Sequence, residues 1–466
     1  MNSKENPINK SIIILIVVNL LLAGVIFVLA RQLAIKPPEI FVQIPYSPAN
    51  IVVDAGKDLG PIHPFWLGFA QGGEEAKNSM LTPTVEKMRE LNPSYIRLDH
   101  IFDDDYYGVV SGSSGNLQFN WSNLDKAVED ILAMGAKPFF SLGYMPGAMA
   151  GSKIDVPYNW DDWYSLVRAM VQHYSGKNGK NIPGVYYEVW NEPDLEIFGS
   201  WKRGGDKNYL TLYEYAAKGA MAAENSSQFY IGGPATTGLY RNWVLDLYNF
   251  CGSKGLRLDF ISWHRYSFNP YQFSRDISDI HQWLAGRPIP RLVISEWGPT
   301  PEKSNTYSTS YAAAHAFAVV RQLLDLVNLT TAFEVKDGPG QDGSGWGLLG
   351  HETAGMNEKP RFLAFSWLAQ VKGNRVLLGG EGSNVQGWAV RENNKIAVYL
   401  VNFGEGSQTE NVPVLFKGLA DGTVMVTKEV LFRGKSSQEL PVINGSLQTL
   451  IELRPNGIGR VILTRI

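Results

Sequence analysis

The chain has 466 residues, a formal net charge of −3 and 44% hydrophobic residues, a balance typical of globular proteins. This charge gives no indication of a nucleic-acid partner, and the length favours two or more structural units. Cys251 is the single cysteine, which excludes an intrachain disulfide. Because the chain has no HExxH motif and no Cys/His cluster, we expect neither a bound metal nor a cofactor.

The first 35 residues are predicted to form a membrane anchor. Residues 11–30 contain no charged side chain and are mostly Ile, Leu, Val, Phe and Ala. A helix of this length, at about 1.5 Å per residue, spans a bilayer core of about 30 Å. A cleaved signal peptide is the alternative, although the apolar run exceeds the usual h-region. Residues 36–49 carry four prolines and are predicted to be an extended stalk, so the rest of the chain is expected outside the cytoplasm, anchored or secreted.

Strand-like and helix-like segments alternate eight times over residues 50–372. The strand-like runs are short and apolar, as expected of parallel strands buried on both faces. Eight such units predict an α/β fold, a closed (β/α)8 TIM barrel. An open doubly wound sheet is the alternative, but Phe69–Gly73 does not match the glycine-rich turn of that fold. The predicted strands are Phe65–Phe69, Tyr95–Asp99, Pro138–Gly143, Val185–Asn191, Phe229–Gly232, Phe260–Tyr266, Leu292–Glu296 and Thr331–Val335.

The pattern changes at Gly373, where helical spacing disappears. Six strand-like runs separated by Gly, Asn and Ser turns follow, and residues 373–466 are predicted to form a β-sandwich. Ile51 to Val53, before the barrel, is a candidate additional strand of this domain.

Two glutamates stand at the predicted ends of two barrel strands. Val185–Asp194 reads VYYEVWNEPD, and Pro193 must end the strand, which leaves Glu192 at its C-terminal end. Glu296 stands similarly at the end of RLVISEWG on the seventh strand. Barrel active sites are built at this face, and cleavage of a glycosidic bond requires two carboxyl groups. The alternative for Glu192 is a structural ion pair with an arginine.

Six short motifs lie in order on the second to seventh predicted strands. They are YIR at 95–97, PFFSLGYMP at 138–146, EVWNEPD at 188–194, GGPAT at 232–236, DFISWHRY at 259–266 and SEW at 295–297. Through these motifs, nearly all of residues 50–370 resembles clan A glycoside hydrolases, most closely glycoside hydrolase family 39. That family includes β-xylosidases, α-L-iduronidases and bacterial exopolysaccharide endo-glycosidases.

The resemblance implies the roles of the two carboxyl groups. Glu192 corresponds to the general acid/base and Glu296 to the nucleophile of a retaining mechanism. The carboxyl groups are then expected about 5–5.5 Å apart. Glu192 is expected to have the raised pKa of an acid and Glu296 the lower pKa of an attacking carboxylate.

The resemblance also implies a set of substrate-binding residues. Asn191 is similar to a residue that contacts the substrate hydroxyl beside the anomeric carbon. Arg97 corresponds to an arginine beneath the nucleophile, where it keeps the carboxylate ionised. His264 and Tyr266 are similar to residues that line the sugar site. Asp99 stands where many relatives have His, so the sugar specificity of those relatives is not carried over.

Several other side chains near the predicted site could either contact substrate or have a purely structural role. Trp297 and Trp346 are candidate stacking platforms for a sugar, with core packing as the alternative. Glu188 is interpreted as a buried partner of Arg97 rather than a rival acid. The acidic run Asp103–Asp105 favours a solvated loop over a metal site. A final group either touches substrate or forms salt bridges: Glu334, Lys336 and Asp337.

These observations predict a retaining O-glycoside hydrolase that acts on an oligosaccharide or polysaccharide outside the cytoplasm. Two alternatives remain at this stage. One is a non-catalytic carbohydrate-binding or exopolysaccharide assembly protein that kept the barrel. The other is a transglycosylase, which shares every residue with the hydrolase and differs in whether water or sugar reaches the intermediate.

Overall fold

The computed structural model describes residues 46–76, 79–340 and 345–465. The predicted anchor and most of the predicted stalk lie outside these residues. Within them, no helix has both the length and the apolar character needed to cross a bilayer.

The described residues contain nineteen strands and eight α-helices. The strands up to the end of the barrel are β1 (Ile51–Pro61), β2 (Gly68–Gln71), β3 (Tyr95–Leu98), β4 (Val110–Ser113), β5 (Asn116–Phe119), β6 (Lys137–Leu142), β7 (Val185–Val189), β8 (Phe229–Thr236), β9 (Phe260–Tyr266), β10 (Arg291–Gly298) and β11 (Leu329–Phe333). The later strands are β12 (Asn374–Gly379), β13 (Val385–Glu392), β14 (Lys395–Asn402), β15 (Glu410–Lys417), β16 (Gly422–Val430), β17 (Gly434–Val442), β18 (Leu447–Leu453) and β19 (Gly457–Arg465). The helices are α1 (Val85–Glu90), α2 (Ser122–Ala133), α3 (Trp160–Tyr174), α4 (Tyr209–Met221), α5 (Arg241–Lys254), α6 (Tyr271–Trp283), α7 (Ser310–Leu323) and α8 (Pro360–Leu368).

Eight parallel strands close the predicted barrel. Their order around it is β2, β3, β6, β7, β8, β9, β10 and β11, and β11 pairs back onto β2. A helix follows each strand, as the alternating sequence pattern predicted. The hairpin of β4 and β5 interrupts the second unit and was not predicted, because both of its strands are short and largely exposed.

The barrel interior is apolar in one layer and charged in the next. The apolar layer is a buried cluster of Phe139, Tyr186, Phe260, Val293 and Leu329. Strand side chains alternate between faces, so the residue two positions after Tyr186 also points inward. That residue is Glu188, and it lies toward the C-terminal end of the strands. The barrel interior is therefore apolar toward the N-terminal ends of the strands and polar toward their C-terminal ends, where barrel active sites are found.

The remaining long strands form one nine-stranded sheet in the order β17, β16, β19, β14, β13, β12, β1, β15, β18. Its apolar side chains enclose a second buried core, separate from that of the barrel. The predicted strand before the barrel is confirmed and is longer than expected. It is β1, and it pairs with β12 antiparallel and with β15 parallel. Residues 51–61 therefore lie in this sheet, although the predicted barrel domain began at residue 50.

Helices α7 and α8 join the barrel to the sheet. Phe317 of α7 packs against Trp388 of β13, with ring centroids 5.5 Å apart. The guanidinium of Arg460 in β19 lies 4.3 Å from the ring centroid of Trp367 in α8. The contact is therefore built from aromatic rings and a cation, which bury apolar surface on both sides.

Candidate active site

A single buried guanidinium connects two predicted site residues and the carboxylate of Glu188. Arg97, on β3, donates from Nε to Glu188 at 2.8 Å and from one terminal nitrogen to Glu296 at 2.9 Å. Its other terminal nitrogen donates to the side-chain oxygen of Asn191 at 2.8 Å. Burial lowers the pKa of Arg97, but the charges of Glu188 and Glu296 outweigh burial and hold the guanidinium charged. The interpretation of Glu188 as a buried partner of Arg97 is confirmed.

Glu192 is presented by a tight backbone turn directly after β7. Trp190 and Glu192 both have left-handed backbone conformations, with φ of 73° and 40°. The amide of Glu192 donates to the carbonyl of Ala235 at 2.9 Å, which fixes the turn against β8. Strained backbone of this kind persists only where the surroundings hold it, and it is common at active sites. The strand ends at Val189, two residues earlier than predicted, because the turn starts at Trp190.

Glu296 reaches the interior because of a bulge in β10. The pairing of β10 with β9 shifts register between Ile294 and Glu296. A bulge reverses the alternation of side chains along a strand, so it can re-aim one of them. Glu296 consequently faces inward beside Arg97, and its neighbour Trp297 faces outward.

His264 connects the two carboxyl groups. Its Nδ1 lies 2.8 Å from Glu192 Oε1 and 3.4 Å from Glu296 Oε2. Oxygen atoms of Glu192 and Glu296 and a nitrogen of His264 all lie within 4.8 Å of one another. Burial lowers the pKa of His264, but the charge of Glu296 and the hydrogen bond to Glu192 outweigh burial and raise it above 6.5. The imidazole therefore favours its charged form between the two acids.

Glu296 is nearly buried and accepts several hydrogen bonds. Besides Arg97, Tyr266 donates to its Oε2 at 3.0 Å. Burial raises the pKa of the Glu296 carboxyl, His264 and Arg97 lower it, and the charge of Glu192 raises it again. The predicted order of the two pKa values, with that of Glu296 below that of Glu192, stays a prediction, whereas the pKa of Glu296 itself shifts upward from 4.5. The physical reason is that burial and a second carboxylate outweigh the neighbouring cations.

A polar chain extends the site from Asn191 to Asp99. The amide of Asn191 donates to the Tyr144 hydroxyl at 3.2 Å, and that hydroxyl donates to Asp99 Oδ2 at 3.1 Å. Asp99 Oδ1 is buried and has no hydrogen-bond partner among the described residues. Tyr144 was not predicted as a site residue, although it follows β6 at the same end of the barrel as the predicted ones. Asp99 thus offers a free acceptor oxygen beside a fixed network.

The two predicted stacking platforms are placed differently. Trp297 is fully buried between the barrel and the helices, with its ring near Phe273 and Phe365 and Arg361 over its face. It has no open face for a sugar, so core packing is the correct interpretation of this residue. Trp346 is half-buried, donates to the carbonyl of Pro301 at 3.1 Å, and remains a candidate at the rim.

Two of the three candidate residues after β11 form the salt bridges that one interpretation predicted. Lys336 lies 2.6 Å from both Glu75 and Glu352, and Asp337 lies 2.6 Å from Lys359, so both are in ion pairs. Glu334 differs, because it is fully buried and its Oε1 has no partner among the described residues.

Glu334 and the acidic run show opposite electrostatic effects of their surroundings. Burial raises the pKa of Glu334 well above 4.5, and Gln71 donates to its other oxygen at 3.0 Å. In the acidic run, burial raises the pKa of Asp103, but hydrogen bonds from His100 and Lys153 outweigh it and lower the pKa to about 2. Asp103 is thus held in ion pairs at the base of its loop, and the run is not simply solvated.

The chain is similar to several known proteins. The family model "Glycosyl hydrolases family 39" matches residues 49–377. A β-xylosidase of Caldicellulosiruptor saccharolyticus is 28% identical over 415 residues, 79% of this chain and 82% of that protein. Human α-L-iduronidase is 26% identical over 268 residues, 52% of this chain but only 39% of that protein. Among solved structures, a GH39 enzyme of Xanthomonas axonopodis pv. citri has a TM-score of 0.76 at 21% identity, covering 90% of this chain and 98% of that one.

Proposed function

The chain belongs to glycosyl hydrolase family 39 and is a glycosidase, and from this premise we propose that it is a retaining O-glycoside hydrolase. In this proposal Glu296 is the nucleophile and Glu192 is the general acid/base. The substrate is an oligosaccharide or polysaccharide outside the cytoplasm. The proposed location depends on the apolar run at residues 11–30 and the stalk that follows it.

The separation of the two carboxyl groups carries the proposal. Oxygen atoms of Glu192 and Glu296 lie within 4.8 Å of each other. Retaining glycosidases hold their carboxyl groups about 5–5.5 Å apart, whereas inverting enzymes need about 6.5–9.5 Å to admit a water molecule. Such close carboxyl groups support direct attack by a carboxylate rather than by a water molecule on the far side of the sugar.

The two acids have different roles in the first chemical step. Glu296 attacks the anomeric carbon, and its second oxygen stays held by Tyr266. Glu192 protonates the leaving oxygen as the bond breaks. Arg97 stays fixed by Glu188 and Asn191, so the nucleophile is oriented before substrate arrives.

The second step depends on the loss of the negative charge of Glu296 in the first step. Formation of the glycosyl ester removes the negative charge of Glu296, so Glu192 can stay ionised without facing a second carboxylate. Glu192 then takes a proton from the incoming water, which attacks the anomeric carbon and frees Glu296. His264, within hydrogen-bond distance of Glu192, holds the acid/base in place through both steps.

The function is tested with the full-length chain on aryl glycosides. The relatives are named for xylosides and iduronides, so an aryl β-D-xyloside and an aryl α-L-iduronide come first, followed by xylan and bacterial exopolysaccharides. Glu296→Gln should abolish turnover, whereas Glu129→Gln, an exposed carboxyl on α2, should leave it unchanged. Turnover that survives Glu296→Gln would contradict the assignment of the nucleophile.

The same assay separates the alternatives. Release of the aryl group without free sugar would identify transfer to another sugar rather than hydrolysis. Binding of a polymer without turnover of any substrate would favour the non-catalytic interpretation. Cleavage of polymer but not of aryl glycosides would identify an endo-acting hydrolase.

A further inference from the structure

We propose that a groove between the barrel and the nine-stranded sheet is a second, non-catalytic site that binds an uncharged polysaccharide chain. The inference depends on the proposed function, because it supplies a binding surface for the same substrate beyond the reacting sugar. It also gives the sheet domain a role, since this domain contributes one wall of the groove.

The groove is a cavity of about 580 Å³ with one wall from each domain. The barrel wall contains Phe268, Tyr271 and Tyr311, from the segment after β9 and from helices α6 and α7. The sheet wall contains Asn384 and Phe403, which flank β13 and β14. Its volume falls within the roughly 300–1,000 Å³ range of small-ligand sites.

Aromatic rings form a continuous series across the groove. The rings of Phe268 and Tyr311 lie 6.0 Å apart, and those of Tyr311 and Phe403 lie 5.0 Å apart. Phe268 is 54% exposed and Tyr271 is 48% exposed. Adjacent exposed aromatic side chains mark binding surfaces. The C–H faces of sugar rings pack well on such flat apolar surfaces.

The polar groups of the groove suit hydroxyl groups rather than charges. The amide of Gln386 donates to the Tyr271 hydroxyl and accepts from Gln322 at 2.9 Å, so it is held across the domain boundary. Side-chain amides both donate and accept, as sugar hydroxyls do. Among the described residues lining the groove, Glu405 alone carries a charge. An uncharged polymer therefore fits this surface better than a nucleic acid, which needs cations along its path.

The two walls are held in a fixed relation, so the groove exists before a ligand arrives. Arg321 of α7 donates to both oxygens of Glu381 in the sheet domain, at 2.7 and 2.6 Å. Glu381 also accepts from the backbone amide of Gly387 at 2.8 Å. Bidentate pairs of this kind add geometric specificity to a contact. A preformed site binds with less ordering of its own side chains.

The segment that follows β9 connects the groove to the candidate active site. Tyr266 donates to the proposed nucleophile, and Phe268 follows two residues later. Two residues span at most about 7 Å of extended backbone, so the main chain at Phe268 lies close to that at Tyr266.

Affinity gel electrophoresis tests the groove, using the full-length chain with Glu296→Gln to prevent turnover. The probes are xylan, galactomannan and β-glucan. The double substitution Phe268→Ala with Tyr271→Ala should weaken retention by about tenfold, as loss of aromatic anchors does at other interfaces. Phe432→Ala, which removes a ring of 52% exposure on the β16–β17 turn, is the matched control and should have no effect.

Two results would overturn the proposal: equal retention of the parent and the groove variant, or no retention of the parent by any probe. Failure of the proposed function is distinguishable, because it would appear as no turnover of either aryl glycosides or polymers by the chain with Glu296 intact. In that intact chain, the groove substitutions should leave turnover of a short aryl glycoside unchanged, since neither side chain belongs to the candidate active site.

Discussion

At the scale of single residues, Arg97 determines the geometry of the site. One guanidinium holds Glu188, Glu296 and Asn191, and it is completely buried. A buried ion pair contributes little net stability when intact, but its loss leaves an unpaired charge in the interior. The orientation of the nucleophile and the stability of the barrel therefore depend on the same side chain.

Replacement of Arg97 by methionine should lower the free energy of unfolding by about 3–5 kcal/mol, because two buried carboxylates lose their cation. Urea unfolding followed by circular dichroism measures the loss. Addition of Glu188→Leu should restore part of it, since one of the two unpaired charges is removed. A loss of unfolding free energy below about 1 kcal/mol in the single variant would show that the barrel does not depend on the buried ion pairs of Arg97.

The charged form of His264 is a second residue-scale prediction. Because its folded-state pKa lies above 6.5, the charged imidazole adds stability below pH 6.5 that is lost as pH rises through the folded value. The largest raising cause is the charge of Glu296. Glu296→Gln should therefore lower the pKa of His264, which imidazole nitrogen NMR measures directly. An unchanged or higher pKa in this variant would contradict the account.

At the scale of elements, helix α7 carries a histidine with the opposite behaviour. His315 is fully buried and its Nε2 donates to the carbonyl of Ser267 at 2.7 Å, which fixes α7 against the segment after β9. Burial lowers the pKa of His315 to about 3. The folded protein thus keeps this imidazole neutral over a range in which the unfolded chain takes up a proton.

Stability should consequently fall as pH drops from 6.5 toward 3. A single such group contributes a slope of about 1.4 kcal/mol per pH unit over this range. In His315→Gln the amide can still donate to Ser267, but the slope should be shallower by this amount. Denaturant unfolding at several pH values measures it. Parallel slopes in the parent and the variant would mean that His315 titrates normally.

The barrel strands could be predicted from the sequence, but the direction in which some of their side chains point could not. The alternation of apolar runs predicted all eight barrel strands, and the carboxylates at strand ends gave the paired acids. Only six of the eight strands from β12 to β19 were predicted, and β17 was missed because most of its residues are polar and exposed and lack the apolar alternation of a half-buried strand. Trp297 was a candidate platform because a bulge cannot be read from a continuous apolar strand. The direction of the pKa shift of Glu296 could not be predicted from its neighbours alone, because it also depends on the burial of the carboxyl group.

At the scale of the whole molecule, barrel and sheet depend on each other. Strand β1 precedes the barrel in sequence but lies between β12 and β15 in the sheet. Helices α7 and α8 bury rings against that sheet through Phe317 and Trp367. A barrel without the sheet would expose this apolar surface.

A fragment of residues 62–372 should therefore fail to fold, although it contains every proposed catalytic residue. Expression, solubility and a thermal melt by circular dichroism test this against residues 47–466, which should melt in one cooperative transition. A cooperative melt of the isolated barrel would show that the sheet is a dispensable accessory.

The anomeric configuration of the first product tests the central claim most directly. Proton NMR during hydrolysis, before mutarotation, follows the sugar released from the first substrate identified. Attack by Glu296 followed by attack of water inverts the anomeric carbon twice. The product should therefore have the configuration of the substrate, and a product of opposite configuration would contradict the roles assigned to Glu192 and Glu296.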